Sequence, residues 1–486
     1  MIAPAGPAPS LPAQVCQRAL DARDARFDGL FFVGIVTTRI YCRPTCPSRR
    51  AMPDHRRFFN SAAAAESSGF RPCLRCRPEL APGKTMIDAV SRLASAAAYR
   101  IGAGALNGRS VADLAAELGV GERHLRRALR RELGVSPVEL AQTHRLLLAK
   151  RLLAETTLSI TDIAFASGFE SLRRFNFVFH ERYGMSPSAL RRPARREGRR
   201  AASDLLRMTL AYRPPLAWDV LIAFLDDNAT PGVEIVEGRR YGRTVRLDGR
   251  AGVVFVEDSP AKAHLKVDIS PSLLPVLMPL LARLRRLFDL DAQPAVVDAH
   301  LERGGLALQR RGVRLPGALD GFEAGFRVLL GSRELAGRVA AGLGEPIDTG
   351  IPGLDRLAPD AGRLAGAEVP DLVALGVKRR PAETLLAFVR AVAGGSLRLD
   401  AGGDVAETHR TLMEIGGIDE RLATTIVTRA LYWPDAFSLS DRALQEAAGV
   451  STPRALRARA ERWRPWRAYA ALHLEAARAE ISAASR

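Results

Sequence analysis

The chain has 486 residues and carries 71 Lys and Arg against 53 Asp and Glu, a formal net charge of +18. That excess points to a polyanionic partner, and because no uninterrupted apolar stretch approaches 18 residues, nucleic acid is favoured over a membrane. The length suits about three domains of ordinary size.

Taken in chain order, Met1–Gln14 is rich in Ala and Pro but has neither a basic start nor an apolar core. No secretory leader is expected from it. The lone Cys16 follows, at an N-terminus whose composition predicts disorder. Four further cysteines then fall in two close pairs, Cys42 with Cys46 and Cys73 with Cys76. Two short pairs of soft ligands joined by a longer excursion make the pattern of a tetrahedral thiolate site for one Zn²⁺. Thiolate ligands without disulfide partners suit a reducing cytoplasm. Arg43, Arg49, Arg50, Arg71, Arg75 and Arg77 surround the pairs. A four-thiolate zinc centre has a formal charge of −2, so arginines beside it suggest work against a polyanion. A purely structural zinc knuckle in a basic protein fits the same spacing.

Thr37-Thr-Arg-Ile-Tyr-Cys-Arg-Pro-Thr-Cys46 and Gly69-Phe-Arg-Pro-Cys-Leu-Arg-Cys-Arg-Pro78 closely resemble the N-terminal domain of the Ada family, a methylphosphotriester repair domain. The resemblance implies that Cys42 is both zinc ligand and methyl acceptor. It implies that Cys46, Cys73 and Cys76 complete the ligand set, and that Arg49 and Arg75 contact the DNA backbone. A metal-held thiolate is a competent nucleophile at neutral pH. Methyl transfer would take the site from formal −2 to −1 and so tighten DNA binding.

From Met86 to about Arg192 the periodicity predicts helices, with an internal repeat: Gly134-Val-Ser-Pro-Val-Glu-Leu140 returns as Gly184-Met-Ser-Pro-Ser-Ala-Leu190. Helix, Gly-centred turn and helix precede each copy. Leu114, Ala115, Leu118, Leu125 and Leu129 would form one small core, and Ile163, Ala164, Phe175 and Phe179 the other. Arg123, His124, Arg126, Arg127 and Arg130, then Ser171, Arg173, Arg174 and Asn176, are left to face DNA. Phe165-Ala-Ser-Gly-Phe-Glu-Ser171 and Tyr183-Gly-Met-Ser-Pro187 resemble the AraC-family DNA-binding domain. That resemblance implies two helix-turn-helix units on one linking helix, about Val138 to Ala154, meeting grooves roughly 34 Å apart.

A charged, Pro-containing run at Arg191–Arg200 reads as linker. Beyond it, 232–236, 252–256 and 265–269 look like strands, and 272–288 like an amphipathic helix. From Ala295 the pattern is almost wholly helical. Leu284-Arg-Arg-Leu-Phe-Asp-Leu290, Arg314-Leu-Pro-Gly-Ala-Leu-Asp-Gly-Phe-Glu323, Leu375-Gly-Val-Lys-Arg-Arg380, Pro434-Asp-Ala-Phe-Ser-Leu-Ser-Asp441 and Arg462-Trp-Arg-Pro-Trp-Arg-Ala-Tyr-Ala470 resemble AlkA-type 3-methyladenine DNA glycosylases of the helix-hairpin-helix superfamily. The resemblance places the catalytic aspartate at Asp441 and a phosphate-binding hairpin at Gly416–Ala423, with Gly417 against the DNA. No lysine stands in that hairpin region, so base excision without strand cleavage is expected. Asp419 stands where the family usually has a second glycine. Arg421, Thr425 and Glu475 stand where the best-known member has pocket aromatics. The stretch Ser332–Leu335 is shorter than the family's DNA wedge.

The expected architecture is multidomain α+β: an Ada-like zinc domain (1–85), an all-α tandem helix-turn-helix domain (86–193), a linker (194–207), an AlkA-like α/β subdomain (208–290) and a helix-hairpin-helix glycosylase domain (291–486). Double-stranded DNA is the expected partner, through methylated backbone, promoter sites and alkylated bases, with RNA polymerase as second partner and the bacterial cytoplasm and nucleoid as location. No Pro-Cys-His-Arg motif occurs, so a guanine-methyl acceptor domain is not expected. Three functions fit: a fused methyl acceptor, activator and N-glycosylase; a methylation-sensing regulator whose glycosylase-like part only binds DNA; or a transcription factor with a structural zinc.

Overall fold

The computed structural model describes residues 11–83, 92–191, 205–400 and 403–484. Of the expected linker, residues 194–204 lie outside the described residues. Two compact units divide the chain: Met1–Arg213 with Ala261–Ala282, and Pro214–Pro260 with Arg283–Arg486.

The first unit begins with helix α1 (Ala13–Ala22). The disorder expected around Cys16 is not found: Cys16 is fully buried on α1 and packs with Ala19 and Phe31. An apolar stripe, Cys16, Ala19 and Leu20, recurs at helical spacing and carries this helix into the core. Next come β1 (Phe32–Ile35), β2 (Ile40–Cys42), β3 (Arg56–Phe59) and β4 (Arg71–Pro72), in the order β3-β1-β2-β4. β1 is antiparallel to β2 and β3, and β4 runs parallel to β2. Helix α2 (Ala62–Ser67), capped by Ser61, covers this sheet.

The repeat follows as helices. α3 (Arg92–Gly102) leads to α4 (Val111–Glu117) and α5 (Glu122–Leu133). The linking helix α6 (Pro137–Glu155) is opened by a Ser136–Glu139 capping box and runs close to its expected bounds. α7 (Ile160–Ala166), α8 (Leu172–Tyr183) and the short α9 (Pro187–Leu190) complete the second copy. The turn glycines Gly119 and Gly168 have φ of +67° and +82°, the left-handed geometry each turn needs. Both expected cores are buried, with Leu118 only partly so. Antiparallel strands Leu206–Ala211 and His264–Ile269 close the unit.

The second unit contains α10 (Trp218–Asp227) and an antiparallel meander of strands Glu234–Glu237, Arg240–Leu247 and Arg250–Ser259. Of these, Arg240–Leu247 was not expected, because Arg243 breaks the apolar alternation of Tyr241, Val245 and Leu247. The predicted helix 272–288 divides into a 3-10 stretch, Pro271–Val276, in the first unit, and α11 (Leu277–Leu287), which crosses the division between the units. Then come α12 (Pro294–Arg303), α13 (Gly321–Leu330), α14 (Arg333–Leu343), α15 (Ala361–Leu364), α16 (Val369–Ala374) and α17 (Arg379–Ala393). The hairpin helices α18 (Val405–Met413) and α19 (Glu420–Leu431) precede α20 (Arg442–Ala447), α21 (Pro453–Ala460) and α22 (Arg467–Ala484). One core joins α13, α17 and α19: Phe322 stacks on Phe388 at 5.6 Å, with Leu385, Ile426 and Val427 packed into the same cluster. That core fixes the hairpin from behind.

Candidate functional sites

β2 ends on Cys42, and β4 delivers Cys73 beside it through Cys73 N–H donating to the Tyr41 carbonyl at 2.9 Å. A tight turn then brings Cys46 back, its N–H bonded to the Arg43 carbonyl at 3.1 Å. The four sulfurs all lie within 4.8 Å of one another and are buried. A tetrahedral zinc with 2.3 Å bonds requires sulfurs about 3.8 Å apart, so the cluster has the donor type, number and spread of a tetrathiolate zinc site. Leu20, Val33, Ile35, Ile40 and Phe58 wall it with apolar side chains. Crowding splits the thiol acidities: hydrogen bonding with Cys46 pushes Cys42 up, and hydrogen bonding with Cys42 pulls Cys46 down and Cys73 down to about 6.

The sulfurs are not equivalent. Arg75 N–H donates to Cys73 Sγ and Arg43 N–H to Cys76 Sγ, both at 3.4 Å. Such donors draw electron density from a thiolate, and no described backbone N–H bonds Cys42 or Cys46. Cys46 is instead met by the Ser48 hydroxyl, which leaves Cys42 the sulfur outside these polar contacts to the chain beyond the cluster.

The arginine ring is smaller than its sequence suggested. Arg43 pairs with Asp28 and donates to the Cys76 carbonyl, while Arg77 pairs with Glu79 and Glu155 at 3.1 and 3.0 Å. These two hold the domain together. Arg49 and Arg75 are exposed and make no ion pair among the described residues, and Arg50, also exposed, reaches Asp21 at 4.0 Å. The sequence did not single out Lys150 of α6, whose Nζ donates to the Cys73 carbonyl at 3.2 Å and to Glu79 at 2.6 Å. Its only sequence signal is a lysine on the apolar side of a helix in a chain with five lysines.

Across the repeat, the two second helices show one burial pattern. Arg123, His124, Arg126, Arg127 and Arg130 are exposed on α5; Ser171, Arg173, Arg174 and Asn176 are exposed on α8. Leu125 and Phe175 hold equivalent buried places. The arrangement leaves each helix a polar face of the width that fits a major groove. Phe177, 60% exposed beside Arg174, is an addition that the polar reading of this face missed.

In the second unit, Gly417 takes φ +91° at the hairpin turn, and a Cβ there would lie 2.1 Å from Thr384 Oγ1. Asp419 caps α19 by accepting from Leu422 N–H at 2.8 Å, which puts its exposed carboxylate at the same helix start. The segment leading to Asp441 is tied down by Ser438 and Ser440, whose hydroxyls donate to Glu420 at 2.6 and 2.5 Å. Asp441 caps α20 with one oxygen, which accepts from Ala443 and Leu444 N–H at 2.8 and 3.3 Å. Its second oxygen accepts no bond from a described residue. Glu475 on α22 keeps an exposed face, yet burial pushes its carboxyl up; Arg429 pulls it down and Asp441 adds to the rise. Burial lowers the Arg429 guanidinium to about 10 as it lies over Phe224 at 4.8 Å. Arg421 is exposed, and the Thr425 hydroxyl is spent on the Arg421 carbonyl at 2.8 Å. Gly331 and Ser332 alone separate α13 from α14, with Ser332 capping the latter.

Three family descriptions match the chain: the metal binding domain of Ada over residues 15–79, a helix-turn-helix domain over 114–193, and the AlkA N-terminal domain over 207–320. A probable bifunctional transcriptional activator/DNA repair enzyme AlkA of Mycobacterium tuberculosis is 36% identical over 476 residues, 94% of this chain and 95% of that protein. The chain belongs to that family of bifunctional activator/repair proteins. The chain is also similar in parts to two proteins of Escherichia coli. DNA-3-methyladenine glycosylase 2 is 35% identical over 273 residues, 55% of this chain and 95% of that one. The bifunctional transcriptional activator/DNA repair enzyme Ada is 47% identical over 60 residues, 12% of this chain and 17% of that one. Among the described residues, no helix is long and apolar enough to cross a membrane.

Proposed function

We propose that the protein accepts methyl groups from DNA methylphosphotriesters on Cys42, activates transcription in response, and excises alkylated purines such as 3-methyladenine from DNA. The observation that carries the first activity is the buried four-sulfur cluster in which Cys73 and Cys76 are bonded by backbone N–H groups and Cys42 and Cys46 are not. Zinc held there keeps the thiols as thiolates at neutral pH. The Cys42 sulfur forms a bond to the methyl carbon; the carbon–oxygen bond breaks and its electron pair stays on the phosphate, which becomes an ordinary diester. The sulfur ends as a thioether, so each molecule reacts once. Arg49 and Arg75 hold the flanking phosphates, and the exposed faces of α5 and α8 read promoter DNA. As an activator the protein engages RNA polymerase, and reduced thiols with a DNA partner put its work on the nucleoid in the bacterial cytoplasm. Intact-protein mass spectrometry after incubation with methylphosphotriester DNA tests this reading. One added methyl, mapped to Cys42 and absent from Cys42→Ala, supports it; bound zinc with no transfer leaves a structural site.

For the glycosylase, the unengaged oxygen of Asp441 supports a carboxylate that stabilises positive charge on the deoxyribose as the base leaves. Attack by water completes a monofunctional hydrolysis, since residues 405–441 include no lysine to form an amine adduct. A second reading, in which this part binds DNA without excising bases, is favoured by Arg421, Thr425 and Glu475 at the pocket positions. Release of 3-methyladenine from methylated DNA, lost in Asp441→Asn, decides between them.

A further inference from the structure

We propose that Lys150, on the helix linking the two helix-turn-helix units, carries the thiolate site's charge state to the DNA-reading helices. The inference rests on the methyl-acceptor reading above. Lys150 has only 4% of its side chain exposed, and a lysine is buried so completely only where its charge is answered. Its partner Glu79 also pairs with Arg77; Arg77 pairs with Glu155, and Glu155 with Arg151. Three cations thus share two carboxylates, which leaves one positive charge over. Lys150 is the member of that network bonded to the Cys73 carbonyl. The surplus charge complements a four-thiolate zinc centre of formal charge −2. When one thiolate becomes a thioether the centre falls to −1, and the attraction that holds Lys150 to the Cys73 segment falls with it.

That change is delivered to a helix connected to both DNA-reading units. A second contact keeps the two parts together meanwhile. Glu66 of α2, wholly buried, accepts from Tyr41 at 3.0 Å, from Thr143 of α6 at 2.9 Å and from Arg182 of α8 at 2.8 Å. It lies on the helix that covers the sheet rather than on a cysteine-bearing segment, and its hydrogen bonds do not include Lys150. Docking and signalling are separate contacts.

The test uses the full-length, zinc-loaded protein and compares duplex-DNA affinity before and after methylation by methylphosphotriester DNA, with zinc content measured throughout. The wild type is expected to change its affinity by about tenfold, a common size for coupling between sites. Lys150→Met keeps the side-chain volume and leaves Glu79 paired with Arg77; it should retain one zinc and accept one methyl, yet change its affinity less than about twofold. Lys150→Arg should restore most of the change. If Lys150→Met loses zinc or fails to fold, Lys150→Gln, which removes the charge but keeps a donor for the Cys73 carbonyl, is measured instead. A Lys150→Met protein that accepts methyl and shows the full wild-type affinity change overturns the proposal. A wild type that accepts no methyl overturns the acceptor reading itself, a different and separately visible failure.

Discussion

Gly417 provides a sharp test of how the hairpin is built. Replacing it with Ala puts a residue with a Cβ at φ +91° and drives that Cβ to 2.1 Å from Thr384 Oγ1. The backbone term costs about 1–2 kcal/mol. Thr384 must also turn away and give up its 2.9 Å bond to the Gly416 carbonyl, which costs about 1 kcal/mol more. Gly417→Ala should therefore destabilise the second unit by about 2–3 kcal/mol. Thr384→Ala alone should cost about 1 kcal/mol, for the lost hydrogen bond. In the double variant there is no clash and the bond is lost only once, so it should be milder than the summed singles by at least about 1 kcal/mol. Urea titration followed by tryptophan fluorescence isolates this unit, because all four tryptophans, Trp218, Trp433, Trp463 and Trp466, belong to it. Additive singles, or a Gly417→Ala variant as stable as the parent, would refute the argument.

Other expectations can be checked in the same preparations. Asp419→Asn keeps an α19 cap but removes a negative charge from the hairpin, so duplex DNA should bind about threefold tighter at low salt, with the gain shrinking as salt rises. Burial raises the Asp289 carboxyl to about 6, where it accepts from the Tyr469 hydroxyl at 2.5 Å. Its folded value exceeds its unfolded value, so its stabilising contribution is complete below about pH 4 and is lost as pH rises through about 6. Asp289→Asn should thus gain about 3 kcal/mol on the wild type between pH 4 and pH 7, read from the tryptophan transition. Stripping zinc with a chelator should lower the thermal stability of the first unit, followed by circular dichroism, and leave the tryptophan transition unmoved.

Local chemistry was readable ahead of the structure, and answers to it were not. The cysteine quartet could be read because its ligands come in pairs a few residues apart, and the helix-turn-helix repeat because Leu125 and Phe175 recur at matching places. Gly417 was marked by the resemblance of its hairpin to the helix-hairpin-helix glycosylases. Partners from distant segments gave no such signal. Arg43 and Arg77 looked like phosphate ligands until Asp28, Glu79 and Glu155 were found beside them. Nothing in the short alanine-rich segment around Glu66 singled it out, and only α6 and α8 make it a buried junction. Cys16 was misjudged because prolines and alanines around it suggested a loose end, while its helical stripe was short enough to overlook.

The linking helix α6 is also a ruler. Its 19 residues span about 28 Å and fix both the separation and the rotational phase of the two DNA-reading helices. Lengthening it by one residue would turn one unit by about 100° relative to the other, so that a single insertion misaligns both at once. Operator spacing and the length of α6 are therefore physically tied to each other. Relatives with α6 of the same length should tolerate exchange of their α8 faces, whereas relatives with a longer or shorter one should not.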